Sequence, residues 1–270
     1  MAYKKTVEEL HYIVEGGKKM GEILAILQQE TKVGMSAWDI DKRAEELILS
    51  VGARPAFKGY RGRKQDPPFP STICASINQE IVHGIATKEK ILYDGDIFSI
   101  DIGMQYPAHS GLGKGGNGFF TDTAITFAIG DISAELEQLL HVTKKSLEIG
   151  IEQVKIGNNI ADIGRAIQAY IQPQGYGIVR DLVGHGVGHE VHEQPRVPNY
   201  LDERLEEWKI EEGVVIAIEP MITLGDYNIE TDDDGWSIRT RDGSLSAHFE
   251  HTIAVTADGP VVVTRRPDEL

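Results

Sequence analysis

A chain of 270 residues, 41% apolar and 26% charged, is long enough to bury a full core as one large domain and has the composition of a folded globular protein. Acidic residues outnumber Lys plus Arg by 42 to 27, a formal charge of −15, which disfavours a phosphate-tracking surface such as direct DNA binding needs and suits cationic ligands, metals or peptide amino termini among them. The single cysteine, Cys74, excludes an internal disulfide framework or a multi-cysteine zinc module, and no apolar run approaches the ~20 residues of a membrane span. The charged start lacks a signal-peptide core, so a cytoplasmic location is expected.

Between residues 6 and about 30, Leu10, Ile13, Val14, Ile23, Leu24 and Leu27 recur at helical spacing and predict an amphipathic helix. Lys32-Val33-Gly34 ends it. Ser36 can cap a second helix reaching Ser50, which Gly52 and Pro55 stop. Arg61-Gly62-Arg63-Lys64 is a short basic run of the kind usually found in a solvated loop. Asn78-Gln79-Glu80-Ile81-Val82-His83-Gly84 sets His83 just beyond a short apolar stretch, where a lone histidine is more often structural than catalytic. Gly95-Asp96-Ile97-Phe98-Ser99-Ile100-Asp101 is β-prone and ends on a carboxylate; Asp122-Thr123-Ala124-Ile125-Thr126-Phe127 starts on one. The glycine-rich run 111–118 between them lacks the Gly-Lys-Ser/Thr of a phosphate loop and reads as a flexible loop.

The second half repeats this rhythm. Ser133 can cap a helix to about Val154, Lys155-Ile156-Gly157 breaks the chain, and a further helix from about Ile160 to Ile171 stops before Pro173. Gly213-Val214-Val215-Ile216-Ala217-Ile218-Glu219 again carries its acid six residues after the glycine, and Glu250-His251-Thr252-Ile253-Ala254-Val255 again starts on a carboxylate. Between them, Asp232-Asp233-Asp234-Gly235 reads as a hairpin turn. These echoes predict pseudo-repeats at about 6–130 and 131–265 within a single domain spanning 1–270. The fold class is α+β, with two antiparallel sheet halves joined around a shared site and helices on the outer face.

Asp101, Asp122, Glu219 and Glu250 are the acids set in apolar strands. A buried carboxylate costs several kcal/mol unless paired or bound to a cation. One such acid is usually a satisfied polar group, but four in symmetric pairs point to divalent metal. Histidines stand nearby in Gly184-His185-Gly186-Val187-Gly188-His189-Glu190-Val191-His192-Glu193. The His185/His189 spacing is that of a zincin helix, but Gly186 occupies the place of its glutamate, and three glycines oppose a helix, so that reading fails. Either imidazole can still ligate a metal or polarise a carbonyl. Cys74 has no activating base near it in sequence and reads as a buried structural thiol.

Further motifs complete a pattern: Ser76-Ile77-Asn78 leading to His83-Gly84, Ser99-Ile100-Asp101-Ile102-Gly103, Thr121-Asp122-Thr123, Val191-His192-Glu193, Ile218-Glu219-Pro220-Met221 and Ser246-Ala247-His248-Phe249-Glu250-His251-Thr252. From about residue 6 to 264 the chain resembles the type I methionine aminopeptidases of peptidase family M24, which have the pita-bread fold. The resemblance implies that Asp101, Asp122, His185, Glu219 and Glu250 hold two divalent metal ions (Co, Mn, Fe or Zn), with Asp122 and Glu250 bridging them. It implies a bridging water or hydroxide as nucleophile, with Glu219 as proton shuttle, His192 on the scissile carbonyl oxygen and His83 on the amide nitrogen. The methionine pocket would draw on Cys74, Trp236, Phe69, Tyr60 and Phe57. The implied function is removal of the first methionine from nascent polypeptides with a small second residue, by a monomer working in the cytoplasm beside the ribosome.

Three features depart from the pattern. Asp101 and Asp122 are separated by 20 residues, about twice what the resemblance leads one to expect. A second extra stretch lies near 61–68, and Val191 stands where a large aromatic is expected. Only 26 residues lie between His192 and Glu219, which leaves no room for the helical insert of type II relatives. The alternatives are a prolidase or Xaa-Pro aminopeptidase, which usually carries an additional amino-terminal domain, and a non-catalytic pita-bread binding protein, which normally loses metal ligands.

Overall fold

The computed structural model describes residues 4–62, 65 and 67–269; Arg63, Lys64 and Asp66, from the basic run and the second extra stretch, lie outside the described residues. Four long helices form where the capping residues lead one to expect them. α1 (Val7–Glu30) opens on a capping box: Thr6 Oγ1 accepts from the Glu9 amide (3.3 Å) and Glu9 Oε2 from the Thr6 amide (2.7 Å). Ser36 caps α2 (Ala37–Ser50) through the Asp39 amide at 3.2 Å. Ser133 caps α3 (Ala134–Ile151), which stops three residues before the expected Val154, at a turn where Asn158 Nδ2 donates to the Gln153 carbonyl (3.0 Å). α4 spans Ile160–Ile171 as its spacing predicts.

The first half contributes β1 (Arg54–Pro55), β2 (Ile73–Ile77), β3 (Glu80–Val82), β4 (Asp96–Tyr106) and β5 (Phe119–Ile129). β4 is the spine of one sheet, with β1, β2 and β5 all antiparallel to it. Asp101 and Asp122 therefore sit in mid-strand, not at the strand ends expected from sequence. The apolar residues simply continue through Ile102, Met104 and Phe119, which are buried, and the ladder with them.

The second half contributes β6 (Gly177–Ile178), β7 (Gly184–Gly186), β8 (Glu193–Val197), β9 (Val215–Ile218), β10 (Met221–Thr223), β11 (Ile229–Thr231), β12 (Ile238–Thr240), β13 (Ser246–His248), β14 (His251–Thr256) and β15 (Gly259–Val262). β15, β14, β9, β7 and β8 make a second antiparallel sheet in that order. Asp232–Gly235 forms the expected turn between β11 and β12, and β12 pairs in turn with β3 of the first half. The halves are also stitched together at the acids themselves. Ala124 and Glu250 exchange backbone hydrogen bonds, Thr123 Oγ1 donates to the Glu250 carbonyl (2.8 Å), and Thr252 Oγ1 donates to the Asp122 carbonyl (2.7 Å).

α1 packs on β4, β5 and β14, and α3 on β5, β9, β10 and β13, so the helices cover one side of the sheets and seal the main core. The glycines of α1 explain how closely it docks. A Cβ on Gly17 would stand 2.6 Å from the Val263 carbonyl oxygen, and one on Gly21 2.4 Å from that of Arg265. The helix thus lies against backbone of the C-terminal segment. Among the described residues no helix is long and apolar enough to cross a membrane.

Candidate metal centre

The antiparallel register places Asp122 opposite Gly103, diagonal to Asp101 and on the same face of the β4–β5 pair. Across the site, His251 pairs with Ile218, which sets Glu250 and Glu219 side by side at the ends of β14 and β9. His185 comes from the neighbouring β7, its Nε2 3.8 Å from Asp122 Oδ2 and 3.6 Å from Glu219 Oε1. Ligand atoms of Asp122, His185 and Glu250 all fall within 4.8 Å of one another. The four acids named from sequence and one of its two candidate imidazoles therefore meet in one place. The other, His189, turns away to pair with Glu9 Oε1 of α1 at 2.9 Å.

These acids are nearly sealed off, with Asp101 9%, Asp122 4% and Glu250 2% exposed. Burial pushes the Asp101 carboxyl up to about 6 and Glu219 up to about 8. Asp122 and Glu250 rise well above the usual carboxylate range, through burial first and then the charges of the neighbouring acids. Burial also lowers His185 to about 3, so that it stays neutral. Its Nδ1 lies 3.0 Å from the Gly186 carbonyl, and donation there leaves the Nε2 lone pair directed among the carboxylates. Asp101 Oδ1 and Asp122 Oδ1 are buried with no hydrogen-bond partner. Crowded, orphaned carboxylate oxygens beside a neutral imidazole fit divalent cations, which supply the missing charge and partners.

The cluster lines a cavity of about 530 Å³. The cavity is also walled by Phe57, Tyr60, Phe69 and Trp236, with Phe69 and Trp236 edge to face at 5.2 Å, and by Cys74, which lies opposite Asp101 in the β2–β4 ladder. Burial, reinforced by Asp101, holds the Cys74 thiol well above its ordinary value, so it serves as a neutral wall. Val191 packs against Phe57, Phe69 and Cys74, and Phe120 of β5 brings an aromatic ring to the same cluster. His83, His192 and Arg196 also line the cavity. Burial lowers the His83 imidazole to about 4, and His192 Nδ1 pairs with the Tyr60 hydroxyl at 2.8 Å.

The sequence profile of metallopeptidase family M24 matches residues 12–257. The chain belongs to metallopeptidase family M24. Methionine aminopeptidase of Clostridium acetobutylicum is 44% identical over 260 residues, covering 96% of this chain and 97% of that one. Methionine aminopeptidase 1 of Bacillus subtilis is 40% identical over 261 residues, covering 97% and 98%. The crystal structure of methionine aminopeptidase from Thermotoga maritima superposes with a TM-score of 0.87 at 35% identity, covering 97% of this chain and 98% of that one. Within M24 the chain therefore groups with the type I-like methionine aminopeptidases, and the pita-bread fold expected from sequence is borne out. The prolidase of Pyrococcus furiosus shares the fold, with a TM-score of 0.73 at 22% identity, but only 65% of its chain is covered.

One residue of this M24 site had no role from sequence. His248 is fully buried, its Nε2 3.6 Å from Glu219 Oε2, and neither ring nitrogen has a hydrogen-bond partner. Its position two residues before Glu250, in a β-prone segment, was the available signal.

Proposed function

We propose that this M24 peptidase removes the amino-terminal methionine from polypeptides whose second residue is small. One observation carries the reading: four carboxylates, three of them buried, and an imidazole line a cavity that is also walled by apolar and aromatic side chains suited to a methionine. Asp101, Asp122, His185, Glu219 and Glu250 would hold two divalent ions drawn from Co, Mn, Fe or Zn. When bound, such ions supply a Lewis acid for the carbonyl and lower the pKa of water.

The chain's own side chains do the rest. The aromatic pocket takes the methionine and excludes water, while the acids attract the free α-ammonium, which restricts cleavage to the first residue. With Tyr60 donating to Nδ1, His192 presents Nε2–H to the scissile carbonyl oxygen. His83, neutral at pH 7, hydrogen-bonds at the amide nitrogen. Glu219 would relay a proton from the attacking water to the leaving amine. In this reading residues 1–270 form one catalytic domain, active as a cytoplasmic monomer on chains emerging from the ribosome.

The test is release of free methionine from Met-Ala-Ser by chelator-stripped protein, before and after addition of each divalent metal. A peptide with proline second and one with alanine first run alongside. Metal-dependent release from Met-Ala-Ser alone is expected. Preference for the proline peptide would move the chain to the prolidase side, and no cleavage by folded, metal-loaded protein would make it a binding module.

A further inference from the structure

Two imidazoles flank the Glu219 carboxylate. His185 Nε2 lies 3.6 Å from Oε1, and His248 Nε2 lies 3.6 Å from Oε2. The rings are prepared for different tasks. With its Nδ1 donating to the Gly186 carbonyl, His185 keeps a lone pair on Nε2 and suits a cation. His248 carries no such commitment: it is 1% exposed, and neither of its nitrogens has a hydrogen-bond partner. A buried polar group left in that state is uncommon in a folded protein and points to a role in the site. Among the described residues the Glu219 carboxylate accepts no hydrogen bond either.

The fold carries His248 to this point by ordinary strand alternation. Ala247 and Phe249 enter the main core, so the residue between them faces the other way. The ladder sets His248 opposite Met221 of β10, two residues beyond Glu219. Its backbone is pinned by Thr126 Oγ1, which accepts from the His248 amide and donates to the His248 carbonyl, both at 2.8 Å. The charge of Asp101 is felt by the ring, but the ion-pair contact is with Glu219. His248 does not line the cavity, so it meets Glu219 and not the peptide.

We propose that His248 is a positioning residue of the metal centre: it donates Nε2–H to Glu219 Oε2 and leaves Oε1 to an ion shared with His185. The inference rests on the metal-centre reading above. Ligating carboxylates are themselves held by outer hydrogen bonds, and the loss of such a partner costs about 10–100-fold in metal affinity. Bringing the pair from 3.6 Å to hydrogen-bond length takes about half an ångström of side-chain movement. Neutral imidazole with its proton on Nε2 and imidazolium both donate there, so the bond does not depend on the ring's charge.

The experiment titrates chelator-stripped protein with Co²⁺ alone, following binding by visible absorption and by competition with a chelator. Glutamine carries its amide nitrogen as many bonds from Cα as the imidazole Nε2, whereas asparagine reaches only as far as Nδ1. His248→Leu and His248→Asn are expected to weaken cobalt binding about 10–100-fold, and His248→Gln to stay within about threefold of wild type. Circular dichroism establishes which variants fold; should His248→Leu not, the glutamine–asparagine comparison decides alone. Wild-type affinity in a folded leucine or asparagine variant shows a ring that only fills space and overturns the proposal, as does a loss in His248→Gln equal to that in His248→Asn. No cobalt uptake by folded wild-type protein is a different result: it overturns the metal-centre reading, and the positioning role with it.

Discussion

Removing one ligand should separate catalysis from stability. Asp101→Asn and His185→Ala are each expected to lower kcat/KM for Met-Ala-Ser by two or more orders of magnitude, about the loss seen when one preorganised transition-state group is deleted. Circular dichroism should show an intact fold. Wild-type-like turnover in both variants would sink the site assignment. Stability should move the other way in metal-free protein. Asp122 is buried among like charges with an orphaned Oδ1, so Asp122→Asn relieves repulsion and should raise the melting temperature of the stripped form. A fall would mean that the acid is satisfied without a cation. The clustering acids were legible in sequence because a carboxylate inside an apolar strand is conspicuous at once. His248 was not, because a histidine in a β-prone stretch is ordinary until folding sets it beside Glu219. Spacing alone left His185 and His189 open; the family resemblance pointed to His185, and in the structure α1 supplies Glu9 to His189.

At the scale of elements, the capped helices were readable because a capping serine or threonine and a stop signal are local in sequence. Strand ends were not, because pairing partners decide them: β4 and β5 sustain each other well past their acids. The loop carrying His192 depends on a similarly distant partner. Lys5, just before α1, is 5% exposed and pairs with Glu193, while Glu9 in the first turn pairs with His189. Lys5→Met strands Glu193, and breaking a buried pair from one side costs about 3–5 kcal/mol. A lower denaturation midpoint is expected, together with a reduced kcat that Lys5→Arg partly restores. Unchanged stability and kcat would show that the pair does not hold this loop. Gly21→Ala sets two effects in opposition. Alanine gains about 1 kcal/mol of helix propensity, whereas a methyl group forced against the Arg265 carbonyl costs about 1–3 kcal/mol. The clash should win, and a stabilised variant would mean that α1 can shift away from the C-terminal segment.

For the whole molecule, buried titratable groups give stability a two-sided dependence on pH. Above the ordinary imidazole value of 6.5, an unfolded chain has shed its carboxylate and histidine protons, while the metal-free native protein still holds a proton on Glu219. The native state binds more protons, so its stability falls as pH rises through about 8. Below 6.5 the sign reverses, because burial keeps His83, His185 and His251 neutral while the unfolded chain protonates. Melting temperatures of stripped protein should therefore peak near pH 6.5 and decline towards 8.5. Saturating metal should abolish the alkaline decline, since it displaces that proton. An alkaline decline of equal size with and without metal would remove Glu219 as its source.

The seating of α1 against Val263 and Arg265 bears on how the protein is made. Its first helix leaves the ribosome while the backbone it must rest on has yet to be translated, and Leu10 and Ile13, which cluster with Val263 in the folded protein, lack that cover until residues 263–265 emerge. The last steps of core assembly therefore wait for synthesis to reach the C-terminal segment, leaving the early helix a client for chaperones during elongation.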